Sequence, residues 1–139
     1  MNDIKRVYGV DVGLKKVGLA QSDKLAIIAS PIGTYSQSEA IERIKTAVVQ
    51  GEIRKAVVGW PVSLKGDEGK STEMVTSFIG SLKKKVPGIE VIKLDERFTS
   101  KVAQQYILES GAKKKKRQDK KIIDAVAAAI LLQNYLDNQ

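Results

Sequence analysis

Four acidic residues sit where the chain around them is apolar or sharply turned. Asp11 lies within the run Arg6–Val12 (RVYGVDV), two residues before Gly13. A charge buried there is costly unless something pairs with it. Asp95 and Glu96 follow the apolar run Ile89–Leu94 directly, with Arg97 next. Asp124 is the only charged residue between Ile122 and Leu136. Carboxylates brought within a few ångströms repel, and a divalent cation is the common relief. The chain has no His and no Cys, which excludes zinc fingers, disulfide frameworks, and thiol or imidazole nucleophiles. Any metal is therefore held by oxygen, and Mg²⁺ or Mn²⁺ suits such a donor set. Two such ions can activate water and stabilise the leaving oxygen in phosphodiester hydrolysis. Each acid also has a plainer reading: Asp11 as a turn former, Asp95 or Glu96 as a salt-bridge partner of Arg97, and Asp124 as a charge favouring its helix dipole.

The basic residues are as uneven as the acids. Net charge is +8, from 24 Lys+Arg against 16 Asp+Glu. Seven bases and one acid fall in Lys113–Lys121 (KKKKRQDKK), leaving the other 130 residues at about +2. A near-neutral body with one basic loop is the footprint of a polyanion partner, often nucleic acid. Lys113, Lys114, Lys115, Lys116 and Arg117 are the expected contacts there, with Lys15, Lys16 and Arg97 near the acids. A loop that merely aids solubility is the alternative.

The elements that must position these residues follow from periodicity. Arg6–Val12, Val17–Ser22 and Ile27–Tyr35 read as three strands joined by tight turns, hence an antiparallel meander. Ser36 and Glu39 have capping-box spacing and open a helix running to Gln50. Lys55–Trp60 is a buried strand, and a helix follows from about Ser71 to Val86, ended by Pro87-Gly88. Ile89–Leu94 is the fifth strand, with a further helix capped near Thr99 or Ser100. The last helix runs from about Lys120 to Leu136, and its alanines would let it lie close to the sheet. The expected fold is α/β: a mixed five-stranded sheet in the order β-β-β-α-β-α-β-α, helices on both faces, one domain over residues 1–139. Ligands in such sheets gather beyond the carboxyl ends of the parallel strands, where Asp11 and Asp95-Glu96 would meet. The apolar stretch Ile122–Leu136 is too short and too interrupted to span a membrane. Nothing at the N-terminus reads as a signal peptide, so a cytoplasmic location is expected.

Four motifs carry a resemblance. Val10 to Ala20 (VDVGLKKVGLA) resembles the first motif of the YqgF (RuvX) family, described as Holliday-junction-resolvase-like proteins and as candidate pre-16S rRNA nucleases. Val58-Gly59-Trp60-Pro61 with Gly66 resembles its VGLP…G loop, Leu94 to Ser100 (LDERFTS) its DERxST motif, and Lys121 to Ala128 (KIIDAVAA) its final Asp-bearing helix. Trp60 and Phe98 stand where Leu is commoner. The resemblance covers the whole chain and implies a ribonuclease H-like fold. It also implies a metal site of Asp11, Asp124 and one acid of Asp95/Glu96. Glu96 is favoured because a longer carboxylate often bridges from the strand end in such sites. The expected activity is metal-dependent phosphodiester hydrolysis, most readily in processing the 5′ end of precursor 16S rRNA in ribosome biogenesis. The alternatives are resolution of branched DNA at Holliday junctions, which calls for a homodimer where rRNA trimming can use a monomer, and a non-catalytic nucleic-acid or ribosome-assembly module. An actin-like phosphate loop also resembles the Asp11–Gly18 turn, but one domain cannot enclose a nucleotide as that fold does.

Replacing Lys113 to Lys116 with Gln tests the basic loop. Affinity for many nucleic-acid sequences should fall alike, and the salt slope should flatten by roughly 0.7–0.9 log unit per lost phosphate contact. Binding titrations across a salt series read both quantities.

Overall fold

A computed structural model describes residues 6–60, 68–95 and 120–138. Its elements run β1 (Arg6–Val12), β2 (Val17–Ser22), β3 (Ala29–Tyr35), α1 (Gln37–Val49), β4 (Ile53–Trp60), α2 (Glu68–Lys85), β5 (Glu90–Asp95) and α3 (Lys120–Asp137). The sheet order is β3-β2-β1-β4-β5. β1, β2 and β3 pair antiparallel, while β4 joins β1 and β5 joins β4 in parallel. The expected meander and crossovers are therefore present, and the fold is the expected α/β type. The helix expected near Thr99 lies outside the described residues.

Strand alternation divides the core into two layers. Tyr8, Val10 and Val12 of β1 join Val17, Leu19 and Val58 beneath α1 and α2, with Phe78 and Leu82 fully buried among them. Val7, Ala20, Ala29 and Val57 face the other way, against Val126, Ala128, Ala129 and Leu132 of α3. This second face of the sheet is paved with small residues over β1, β2 and β3, the strands that α3 crosses. Among the described residues no helix is long and apolar enough to cross a membrane.

Local chemistry sets the boundaries. The Ser36 hydroxyl accepts from the Glu39 N–H at 3.2 Å, and the Glu39 carboxylate accepts from the Ser36 N–H at 3.3 Å. This is the capping box expected from the spacing. β3 starts at Ala29 rather than Ile27, because the preceding residues form a clamped turn. The Asp23 carboxylate accepts from the N–H groups of Ile27 at 2.7 Å, Ile28 at 2.9 Å and Leu25 at 3.3 Å. Ala26 is thereby held at φ 59°, a left-handed conformation unusual for a side-chain-bearing residue. Gln133 of α3 completes the anchor: its amide oxygen accepts from Ala29 N–H at 2.9 Å, and its amide nitrogen donates to the Ile27 carbonyl at 3.0 Å.

The bonds from Ile28, and then Ile27 and Leu25, hold the Asp23 carboxyl below its ordinary value. The folded pKa is depressed, so this contribution is present above the unfolded carboxylate value of about 3.9. It is lost as pH falls through the lower folded value. Asp23→Ala should cost about 1 kcal/mol near neutral pH, and the gap to wild type should close towards pH 2. Urea melts at both pH values measure it.

Candidate active site

Asp11 is the second-last residue of β1 and pairs in register with Gly18 of β2. Directly opposed antiparallel residues have side chains on one face, and here it is the face under α3. Gly18 has no side chain because there is no room for one. A Cβ there would collide with the carbonyl of Asp124 and stand 3.1 Å from the Ala125 nitrogen. One step further along β1, a Cβ at Gly9 would stand 2.7 Å from Leu132 Cβ and 2.8 Å from the Ala128 carbonyl. Leu132, Ala128 and Asp124 are successive turns along one side of α3. The helix thus runs back along β1 with its first turns at the carboxyl end of the strand, and Asp124 arrives at the Asp11–Gly18 rung. Both aspartates are half-buried. Two acids separated by 113 positions in sequence are thereby placed at one edge of the sheet.

Asp95 takes a different position. It pairs in register with Trp60, as Leu94 does with Gly59 and Ile92 with Val57. Ile92 and Leu94 pack in the α3 layer and Val91 in the layer of α1 and α2. Alternation accordingly assigns Asp95 to the α1 and α2 face, opposite Asp11. Glu96, Arg97 and the loop residues Lys113, Lys114, Lys115, Lys116 and Arg117 lie outside the described residues. Among the described residues no group of three or more acids is gathered closely enough to hold a metal ion.

The turn after Asp11 projects from the same edge. The Gly13 N–H donates to the Lys16 carbonyl at 2.8 Å, and Leu14, Lys15 and Lys16 are exposed. A Cβ at Gly13 would stand 2.8 Å from that same carbonyl. The crowding at Gly13 comes from the turn's own backbone. Lys15 and Lys16 put two exposed cations in the turn that follows β1. A groove of about 530 Å³ lined by Tyr8, Glu39, Glu42, Arg43 and Glu52 lies over α1, on the face away from Asp124. Burial, and then the Glu52 charge, push the Tyr8 phenol up. This groove shares no residue with the carboxylate edge. Sequence reasoning missed Gly9 as a helix contact, and the only signal was a glycine inside an otherwise bulky strand.

The sheet order and the two aspartates at the carboxyl end of its parallel strands describe an α/β protein with an acidic edge. A solved structure of RuvC from T. thermophilus in complex with Holliday junction substrate superposes with a TM-score of 0.63, covering 96% of both chains at 12% identity. The chain belongs to the RuvX family, whose model, described as Holliday junction resolvase, matches residues 5–138. It is 39% identical over 132 residues to a candidate pre-16S rRNA nuclease of Salinibacter ruber, spanning 95% of this chain and 92% of that one. A protein of the same description from Chlorobium phaeobacteroides is 38% identical over 135 residues, spanning 97% and 94%.

The Gly18 contact gives a prediction of sign. Gly18→Ala forces the first turns of α3 off the sheet and should destabilise by about 2–3 kcal/mol. Gly80 is exposed on α2, and a methyl group added there would meet nothing within 4 Å, so it should respond the other way. Gly80→Ala should stabilise by about 0.4–1 kcal/mol. Thermal melts of the two variants beside wild type decide it.

Proposed function

We propose that this chain is a cytoplasmic, divalent-metal-dependent nuclease that processes the 5′ end of precursor 16S rRNA. The observation that carries the reading is the Gly18 contact, which delivers Asp124 to the rung of Asp11. Its relatives named for pre-16S rRNA support the substrate. The donors at the edge are carboxylates alone, in a chain without His or Cys, and that chemistry fits Mg²⁺ or Mn²⁺. Asp11 and Asp124 would hold the metal. Glu96 is the third ligand in this reading, because Asp95 falls on the far face of the sheet and the sequence favours Glu96 as the longer carboxylate. Bound there, such ions supply an activated water and a counter-charge for the leaving oxygen.

The chain's own residues do the remaining work. Gly18 fixes the separation of the two aspartates, since the α3 backbone rests on the strand without an intervening side chain. Lys15 and Lys16, exposed beside Asp11, hold the phosphate backbone across the edge. Lys113 to Arg117 extend that contact along the strand in this reading. The family model's description and the RuvC fold favour a second substrate, four-way junction DNA. That reading calls for a symmetric pair of subunits.

Incubation with labelled precursor 16S rRNA and with junction DNA, each with Mn²⁺ or with EDTA, separates these. Metal-dependent trimming of the rRNA supports the proposal, and junction cleavage alone moves it to the second substrate. No cleavage of either with metal present removes the nuclease reading and leaves a binding module.

Asp124→Asn probes the site through stability as well as activity. If the aspartates repel in the metal-free protein, the variant should be at least as stable as wild type. Saturating Mn²⁺ should raise the melting temperature of wild type but not of the variant, and cleavage should vanish. Asp95→Asn, on the other face, should keep the response to Mn²⁺. A loss of about 0.3–1 kcal/mol with the metal response intact would make Asp124 a helix-dipole residue instead.

A further inference from the structure

The carboxyl edge of the sheet has a second face, which the site above does not use. Trp60 is the last residue of β4 and the only tryptophan of the chain. It is half-buried and packs on the layer beneath α1 and α2. Lys93 pairs in register with Val58 and Asp95 with Trp60, so Lys93 lies one rung before the indole on the same face. Its ammonium sits 4.3 Å from the ring centroid, and the lysine is exposed. The indole is therefore anchored on the core, while a solvated, flexible cation covers one face of the ring.

We propose that Trp60 and Lys93 form a platform on which a base of the substrate strand stacks, with the Lys93 ammonium passing from the ring to a phosphate. The inference rests on the nucleic-acid reading above and adds a positioning residue to it. An exposed ammonium over a half-buried ring is held no more tightly than a stacked base, so a base can take its place. The displaced ammonium keeps a partner, because every stacked nucleotide brings a phosphate with it. Location supports the same conclusion. β4 lies beside β1, about 4.8 Å away, and both strands end at the edge that carries Asp11. A strand lying across that edge presents its backbone to the carboxylates on one face and a base to Trp60 on the other. Stacking is tolerant of sequence, so the platform would position a strand rather than select its bases.

The single tryptophan makes the test direct. Wild-type protein in EDTA, which prevents cleavage, is titrated with unlabelled oligouridine and oligothymidine of about 12 nucleotides. Trp60 fluorescence is followed, while anisotropy of a labelled copy of each oligonucleotide reports binding independently. Quenching that saturates with the anisotropy signal is expected. Trp60→Leu should weaken binding about 5- to 100-fold, and Trp60→Phe should restore most of it. Lys93→Gln should keep the quenching and lower the single-strand salt slope by about 0.7. Binding that leaves Trp60 fluorescence unchanged overturns the platform and leaves the nuclease reading standing. Absence of binding by anisotropy overturns both. Circular dichroism of the variants checks that each is folded, and a misfolded Trp60→Leu leaves the wild-type quenching as the deciding result.

Discussion

The molecule depends on a contact between two backbones. α3 lies on the sheet at Gly18 and Gly9 with no side chain between helix and strand at those points. Interiors are close-packed, so a single methyl group at such a point displaces whole elements. The neighbouring positions are small for the same reason: Ala20 and Ala29 on the strands, Ala125, Ala128 and Ala129 on the helix are all buried. The far end of the helix is tied polar rather than apolar. Gln133 there supplies a donor and an acceptor to backbone groups at the start of β3, an edge strand with no neighbour on one side among the described residues. Dispersion at one end and hydrogen bonds at the other fix both the height and the register of the helix. The height matters most, because it sets how close Asp124 comes to Asp11.

Strand parity then decides which groups can cooperate. Asp11 and Asp95 both end parallel-running strands at one edge, yet one-residue alternation turns them to opposite faces. Asp95 is thereby kept from the α3 face, where Asp11 meets the start of α3. The same parity gathers Trp60 and Lys93 on the α1 and α2 face. One edge consequently carries acid on one side and an aromatic–cation pair on the other, a division suited to a polymer with charged backbone and flat bases.

Much of this is legible in the sequence, and the limits are physical. Periodicity and turn residues locate β1 and β2 with their observed ends, and Ser36 with Glu39 marks the start of α1, because these signals are local. The same locality explains the errors. Ile27 and Ile28 read as apolar strand, which starts β3 two residues early; nothing in that run shows that the Asp23 carboxylate captures their N–H groups. Gly13 and Gly18 look alike as turn glycines. The first crowds its own turn and the second receives a helix from more than 100 residues away, a difference that only tertiary packing creates. That Asp124 comes to the sheet near Asp11 is legible, because an acid on an apolar helix needs a reason and its alanine neighbours permit close approach. The face of Asp95 is out of reach, because parity at a strand end follows from register across β4 and not from the residues themselves.

Symmetry bears on the choice of substrate. Two concerted cuts in a junction require two sites related by a two-fold axis, and sheets most readily pair through an open edge. β3 is such an edge here, and it is blunted twice. Pro31 has no N–H to give a new neighbour. The pairing with β2 shifts between Leu19 and Ala20, which meet Gly33 and Pro31 and leave Ile32 as an extra residue. Such a bulge bends and twists the strand away from further pairing. A continuous sheet through β3 of two copies of this chain is thereby disfavoured, and a dimer would have to be built on other surfaces. Asp11 and the exposed turn lysines lie on one edge of a single subunit, with the start of α3 beside them. The proposed trimming of an RNA end asks nothing of the β3 edge, because it needs only one subunit.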